Sequence, residues 1–125
     1  MYKLIPTEAQ EQSTLIKWAN LQEGKYPELR WLHHIPNGGS RHPIEAANLK
    51  RQGVKAGVPD LFLPYASGKY HGLYIEMKST DKNARLSKEQ KEWRDGLIEN
   101  GYKFHCCKGF EAAKEAIIDY LERGE

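Results

Sequence analysis

Apolar positions change their period along this chain, and the changes mark its elements. Between Thr7 and Gly24, Ala9, Leu15, Ile16, Trp18 and Ala19 recur at helical spacing. Thr7 with Gln10 three residues on, preceded by Pro6, makes a capping box that predicts where this helix starts. Trp31, His33 and Ile35 alternate as in a strand, and Pro36-Asn37-Gly38-Gly39-Ser40 reads as a loop. Pro43 opens a short helix that Gly53 ends. Asp60-Leu61-Phe62-Leu63 is a buried strand, Ala66 to Lys69 a turn, and Leu73 to Lys78 the returning strand. Ser87 and Gln90 form a second capping box, opening a helix through Trp93, Leu97 and Ile98 that stops at Asn100-Gly101. Tyr102 to Cys106 is a fourth strand, and Phe110, Ala113, Ile117, Tyr120 and Leu121 mark a closing amphipathic helix. The order predicts an α/β sandwich around a mixed sheet.

Composition narrows this. The chain of 125 residues is the size of one domain, spanning 1–125, and its 39% hydrophobic and 29% charged residues fit a soluble globular protein. One core of ordinary size fills such a chain, so a polymeric substrate must lie across its surface. No apolar run approaches the ~20 residues that span a bilayer, so no membrane role is expected, and the first residues lack the pattern of a signal peptide. The adjacent Cys106 and Cys107 do not suit a disulfide or a zinc site and are expected to be buried thiols at a strand end. The expected location is therefore a reducing cytoplasm, bacterial or, for a phage-encoded protein, that of the host.

Net charge is only +2, but its distribution is uneven. Arg41, Lys50, Arg51 and Lys55 stand against Glu45 alone in residues 40–58, and residues 78–94 are also basic. Basic segments beside carboxylates suit a polyanion held near a metal, although solvated helix faces give the same pattern. Arg41, Lys50, Arg51 and Lys55 are candidates for phosphate contacts that position DNA without reading its sequence.

The hairpin carries the chemistry. Glu76 and Lys78 are two apart on a strand, so both project to one side while Ile75 and Met77 face the other. A tight antiparallel return brings Asp60 towards Glu76, and two carboxylates that close repel unless a cation or proton intervenes. Hard oxygen ligands favour Mg²⁺ or Mn²⁺. Lys78 can hold a scissile phosphate, or orient or help deprotonate an attacking water. These are the parts of phosphodiester hydrolysis with water as nucleophile. Glu-x-Lys is common by chance, but here the strand is otherwise apolar and a basic helix follows.

Gly57-Val58-Pro59-Asp60-Leu61-Phe62-Leu63 followed by Tyr74-Ile75-Glu76-Met77-Lys78 resembles the VRR-NUC branch of the PD-(D/E)xK nuclease superfamily. The resemblance extends through Thr7 to Gln12, His34 to Gly39 and Leu86 to Gln90. It implies a restriction-endonuclease-like αβββαβα core with a mixed central sheet flanked by helices. It also implies a divalent-metal endonuclease related to Holliday-junction resolvases, a homodimer acting on branched or structured DNA. Asp60 and Glu76 would bind metal, Lys78 would belong to the catalytic centre, and the main-chain carbonyl of Met77 would be a further ligand. The family's first-helix glutamate falls on Glu8 in preference to Glu11, because Glu8 and Gln12 lie one turn apart. Gln90 resembles a glutamine found near the site in relatives, but it is equally the capping partner of Ser87.

Other features weigh less. His33 and His34 point to opposite sides of a strand, so one packs and one faces the site. An oxygen-rich cluster needs neither as a ligand, and His34 with Asn37 can contact phosphate or line the cleft. The Pro36 to Arg41 segment offers unobstructed amides to a phosphate but lacks the Gly-Lys-Ser/Thr ending of a nucleotide-binding loop. Trp18, Trp31 and Trp93 are expected in the core. The expected function is structure-selective hydrolysis of DNA phosphodiesters. The alternative is a nucleic-acid-binding module that keeps the fold without turnover.

Overall fold

The computed structural model describes residues 4–37 and 42–125. Arg41 and the Gly38-Gly39-Ser40 segment lie outside the described residues. The order is α1 (Glu8–Leu21), a 3₁₀ helix (Pro27–Trp31), β1 (His33–His34), α2 (Pro43–Arg51), β2 (Leu61–Leu63), β3 (Leu73–Lys78), α3 (Lys88–Glu99), β4 (Lys103–Lys108) and α4 (Phe110–Arg123). The four strands form one sheet in the order β1-β2-β3-β4. β1–β2 and β2–β3 are antiparallel and β3–β4 is parallel, so the sheet is mixed, with α3 as the crossover. With α2 inserted between β1 and β2, this is the αβββαβα arrangement.

Local chemistry sets the boundaries. Both capping boxes are formed, Thr7 with Gln10 and Ser87 with Gln90. Gly101 takes φ +88° beyond the Asn100 cap, where the chain must leave the helix and turn into β4.

The expected strand through Trp31 is cut to two residues. Pro27 starts a 3₁₀ helix whose Leu29 is buried, and this carries the chain to Trp31 before any strand can begin. Trp31 is consequently 52% exposed instead of core, with the Arg30 guanidinium 4.8 Å from its ring. Trp18 does pack against the core, and Trp93 is half-buried. Asp60 stands just before β2, not in it, and β4 runs on to Lys108. Only Cys107 of the two thiols is buried. Successive residues of a strand face opposite ways, so Cys106 is exposed.

One face of the sheet is the main core. Leu61, Leu63, Leu73, Ile75 and Met77 meet Leu15 and Ala19 of α1 and Ala113, Ile117 and Tyr120 of α4. Each fully buried aliphatic side chain contributes about 1.5–3 kcal/mol of transfer free energy. The opposite face carries Phe62 stacked on Tyr74 at 4.2 Å, with Tyr102 edge-on to both. That second face, continued along β3, is where Glu76 and Lys78 project.

Candidate active site

β2 is three residues shorter than β3, and this difference builds the site. The β2–β3 ladder ends at Leu61↔Ile75, leaving Glu76, Met77 and Lys78 beyond it. In this part of β3, backbone groups alternate between the two neighbouring strands. Lys78 offers its carbonyl to Gly109 N after β4, at 2.9 Å. Met77 therefore faces the β2 side, where no strand is left to pair with it. Its N–H donates to Asp60 Oδ2 at 2.7 Å, so the Asp60 side chain substitutes for the missing strand. In an antiparallel ladder the N–H and C=O of one residue point the same way, which turns the Met77 carbonyl towards Asp60 as well.

Glu76 is 2% exposed, and Lys78, two residues along on the same face, is 8% exposed. Such burial of ionisable groups is unusual unless they are paired. Glu76 Oε2 accepts from Gln90 Nε2 at 3.3 Å, while Oε1 is buried with no hydrogen-bond partner. Burial pushes the Glu76 pKa up to about 9, and the adjacent Asp60 carboxylate adds to the rise, by accepting from the protonated form and by its like charge. Lys78 opposes it, and Glu8 contributes a further repulsion. Lys78 itself closes no ion pair within 4.0 Å among the described residues.

A buried carboxylate oxygen without a partner, beside a second, half-buried carboxylate, is a donor set that fits a hard divalent cation. Asp60, Glu76 and the Met77 carbonyl would supply the oxygens. Among the described residues no group of three or more His, Cys, Asp or Glu side chains is gathered as a metal cluster. Glu8, exposed in the first turn of α1, thus reaches the pair through its charge and not as a closed third ligand. Glu11 points elsewhere: a Cβ on Gly109 would stand 2.6 Å from Glu11 Oε2, which puts that carboxylate at the start of α4. A carboxylate there favours the helix macrodipole.

Gln90 serves both roles weighed for it. Its Oε1 accepts from Ser87 N at 2.8 Å while its Nε2 reaches Glu76. The two histidines divide as strand geometry requires. His33 lies edge-on to Phe62 at 5.9 Å, and His34 Nδ1 is 2.8 Å from the Asp60 carbonyl.

Of the basic candidates, Lys50 and Lys55 line one groove of about 490 Å³ with Asn37, over a floor of Ala46, Ala47 and Ala56. Arg51, a residue further round α2, instead bonds Asn48 Oδ1.

Sequence reasoning missed Cys106 and Lys108. The parallel register sets Cys106 beside Glu76 and Lys108 beside Lys78, on the same face. Partial desolvation and then the nearby Glu76 push the Cys106 thiol up, and Lys78 opposes them. Alternation along β4 separates these two from buried Cys107, but only the register places them at the site.

Residues 6–111 match the VRR-NUC domain model. A solved structure described as a VRR_NUC domain protein is 36% identical, with a TM-score of 0.80, covering 95% of this chain and 91% of that one. Among curated proteins none matches significantly.

Proposed function

The chain belongs to the VRR-NUC domain family, a branch of the PD-(D/E)xK nucleases, and on that premise we propose that it is a divalent-metal-dependent endonuclease that hydrolyses DNA phosphodiesters. The observation that carries this reading is the buried Glu76, with its Oε1 unpartnered, set against half-buried Asp60 with buried Lys78 alongside. A binding module has no need to bury a glutamate and a lysine together beside a second carboxylate, at a desolvation cost of several kcal/mol per ion.

Asp60, Glu76 and the Met77 carbonyl would hold Mg²⁺ or Mn²⁺, with Glu8 as the carboxylate joining from α1. Such a cation supplies Lewis acidity, lowering the pKa of water and offsetting charge that develops on phosphorus. Asp60 keeps its orientation through the Met77 amide, and Gln90 holds Glu76 by its Oε2. Lys78, buried and without a fixed partner ion, presents its ammonium to a phosphate oxygen or to the attacking water. Lys50, Lys55 and Asn37 form a tract that holds the backbone of the nucleic acid away from the reacting bond. Branched DNA is the substrate class that the family resemblance supports. A two-fold junction cut symmetrically requires two sites, hence two copies of this chain.

The test is incubation of the protein with four-way junctions, flaps, plain duplex and single-stranded RNA, in Mg²⁺, Mn²⁺ or EDTA, beside Asp60→Ala and Lys78→Ala. Metal-dependent cutting of branched DNA, lost in both variants, is expected. Binding without cutting in every metal would move the reading to a non-catalytic module. Cutting that survives both substitutions would sink the site assignment. A monomer by light scattering, with and without junction DNA, would remove the dimer.

A further inference from the structure

Asp60 is held at its main chain as well as at its carboxylate, and the main-chain half involves elements outside the β2–β3 hairpin. Its carbonyl accepts from Ile35 N at 2.8 Å and from His34 Nδ1 at 2.8 Å, so both lone pairs are engaged. A carbonyl can only accept, so Nδ1 carries the proton in this bond. Gln12 Nε2 lies 3.1 Å from the same Nδ1. Nδ1 cannot accept from that nitrogen while it donates to Asp60, so the contact is a hydrogen bond only with the carboxamide turned over, its oxygen facing the ring. Gln12 is one turn along α1 from Glu8. A polar strut therefore runs from α1, through two side chains, to the backbone of Asp60.

The strut is placed where regular structure gives out. Asp60 precedes β2 and has no ladder pairing through that strand, and β1 beside it is only two residues long. The backbone here is held by individual hydrogen bonds instead of a sheet ladder. Rotation of the Asp60 backbone would swing its carboxylate off the Met77 amide and away from Glu76.

We propose that His34 and Gln12 are positioning residues for Asp60, fixing its main chain so that its carboxylate stays on the Met77 amide and against Glu76. This rests on the reading of Asp60 and Glu76 as the metal pair, but its first consequence needs no metal. His34 acts through a donor at the Nδ1 position, which an asparagine Nδ2 reproduces and an alanine does not.

Two measurements on the full chain test it, with the wild type beside His34→Ala, His34→Asn and Gln12→Ala. In the metal-free protein, amide exchange followed by NMR should show Met77 N–H losing about tenfold protection in His34→Ala while Ile75, inside the ladder, is unchanged. His34→Asn should restore it, and Gln12→Ala should lose a part. Unchanged Met77 exchange in His34→Ala overturns the proposal, as does equal loss of protection throughout the sheet. In a Mn²⁺ titration followed by electron paramagnetic resonance, His34→Ala should bind about tenfold more weakly, His34→Asn should stay close to wild type, and Asp60→Ala should not bind. Wild-type affinity in His34→Ala overturns the proposal. Absence of Mn²⁺ binding in the wild type overturns the metal reading instead, and the exchange result then decides the strut alone.

Discussion

Gln90 holds two positions with one carboxamide: its oxygen closes the capping box of α3, and its nitrogen donates to Glu76 Oε2 at 3.3 Å. The start of α3 and the orientation of Glu76 are thereby the same structural fact. Gln90→Ala should cost about 1 kcal/mol through the lost cap and the lost donor. Gln90→Glu retains a capping acceptor but sets a further carboxylate against Glu76. It should be less stable than Gln90→Ala in chelator and should recover more on adding Mn²⁺. Thermal unfolding of the two variants, with and without metal, checks this ordering.

Glu76 gives the metal-free protein a pH dependence of definite sign. Folding raises its pKa from 4.5 to about 9, so between those values the folded chain binds a proton that the unfolded chain does not. Its stabilising contribution is complete below the lower value and is lost as pH rises towards the upper one, by at most about 1.4 kcal/mol per pH unit. Glu76→Gln should remove that slope and be more stable than wild type at pH near 8 in chelator. Divalent metal should raise the wild-type melting temperature and leave that of Glu76→Gln nearly unmoved. Melting curves across pH in EDTA and in Mn²⁺ decide it, and a wild-type slope equal to that of the variant would falsify the assignment.

Gly57 admits no side chain. It has φ +87°, and a Cβ there would stand 2.6 Å from Glu89 Cβ and 2.7 Å from Glu89 C. The obstacle includes the backbone of α3, which cannot rotate aside. Gly57→Ala should cost at least about 2 kcal/mol in urea unfolding. Because α3 must shift, the variant should also weaken Mn²⁺ binding through Gln90, without touching a ligand.

Lys50 and Lys55 share a groove with Asn37, while Arg51 is engaged with Asn48. If the groove follows a nucleic-acid backbone, the Lys50→Ala, Lys55→Ala double variant should reduce the slope of log affinity against log salt by about 2. Arg51→Ala should change that slope little. Fluorescence anisotropy with labelled junction DNA over a salt series measures both.

Much of the scaffold was legible because it is encoded by neighbours in sequence. Both capping boxes, the bounds of β3, the turn between β2 and β3, and the glycine that ends α3 need only residues a few positions apart. The strand expected through Trp31 begins late because Pro27, four residues upstream, starts a 3₁₀ helix that takes in Trp31 and leaves only His33 and His34 to the strand. The burial expected of both thiols failed because a strand buries alternate residues only.

By itself, then, the sequence determined the hairpin, the same-face pairing of Glu76 and Lys78, and the oxygen-rich character of the site, since period-2 geometry and side-chain chemistry are local. Tertiary structure alone decided that Asp60 fills the place of a missing strand at Met77 and that Gln90 turns to Glu76. It also decided that Lys108 stands beside Lys78 and that His34 ties Asp60 to α1. Those relationships depend on strand length, register and helix approach, which arise only when distant segments bury their apolar faces together. The residues of the site are written along the chain, and the contacts that hold them in place come from packing.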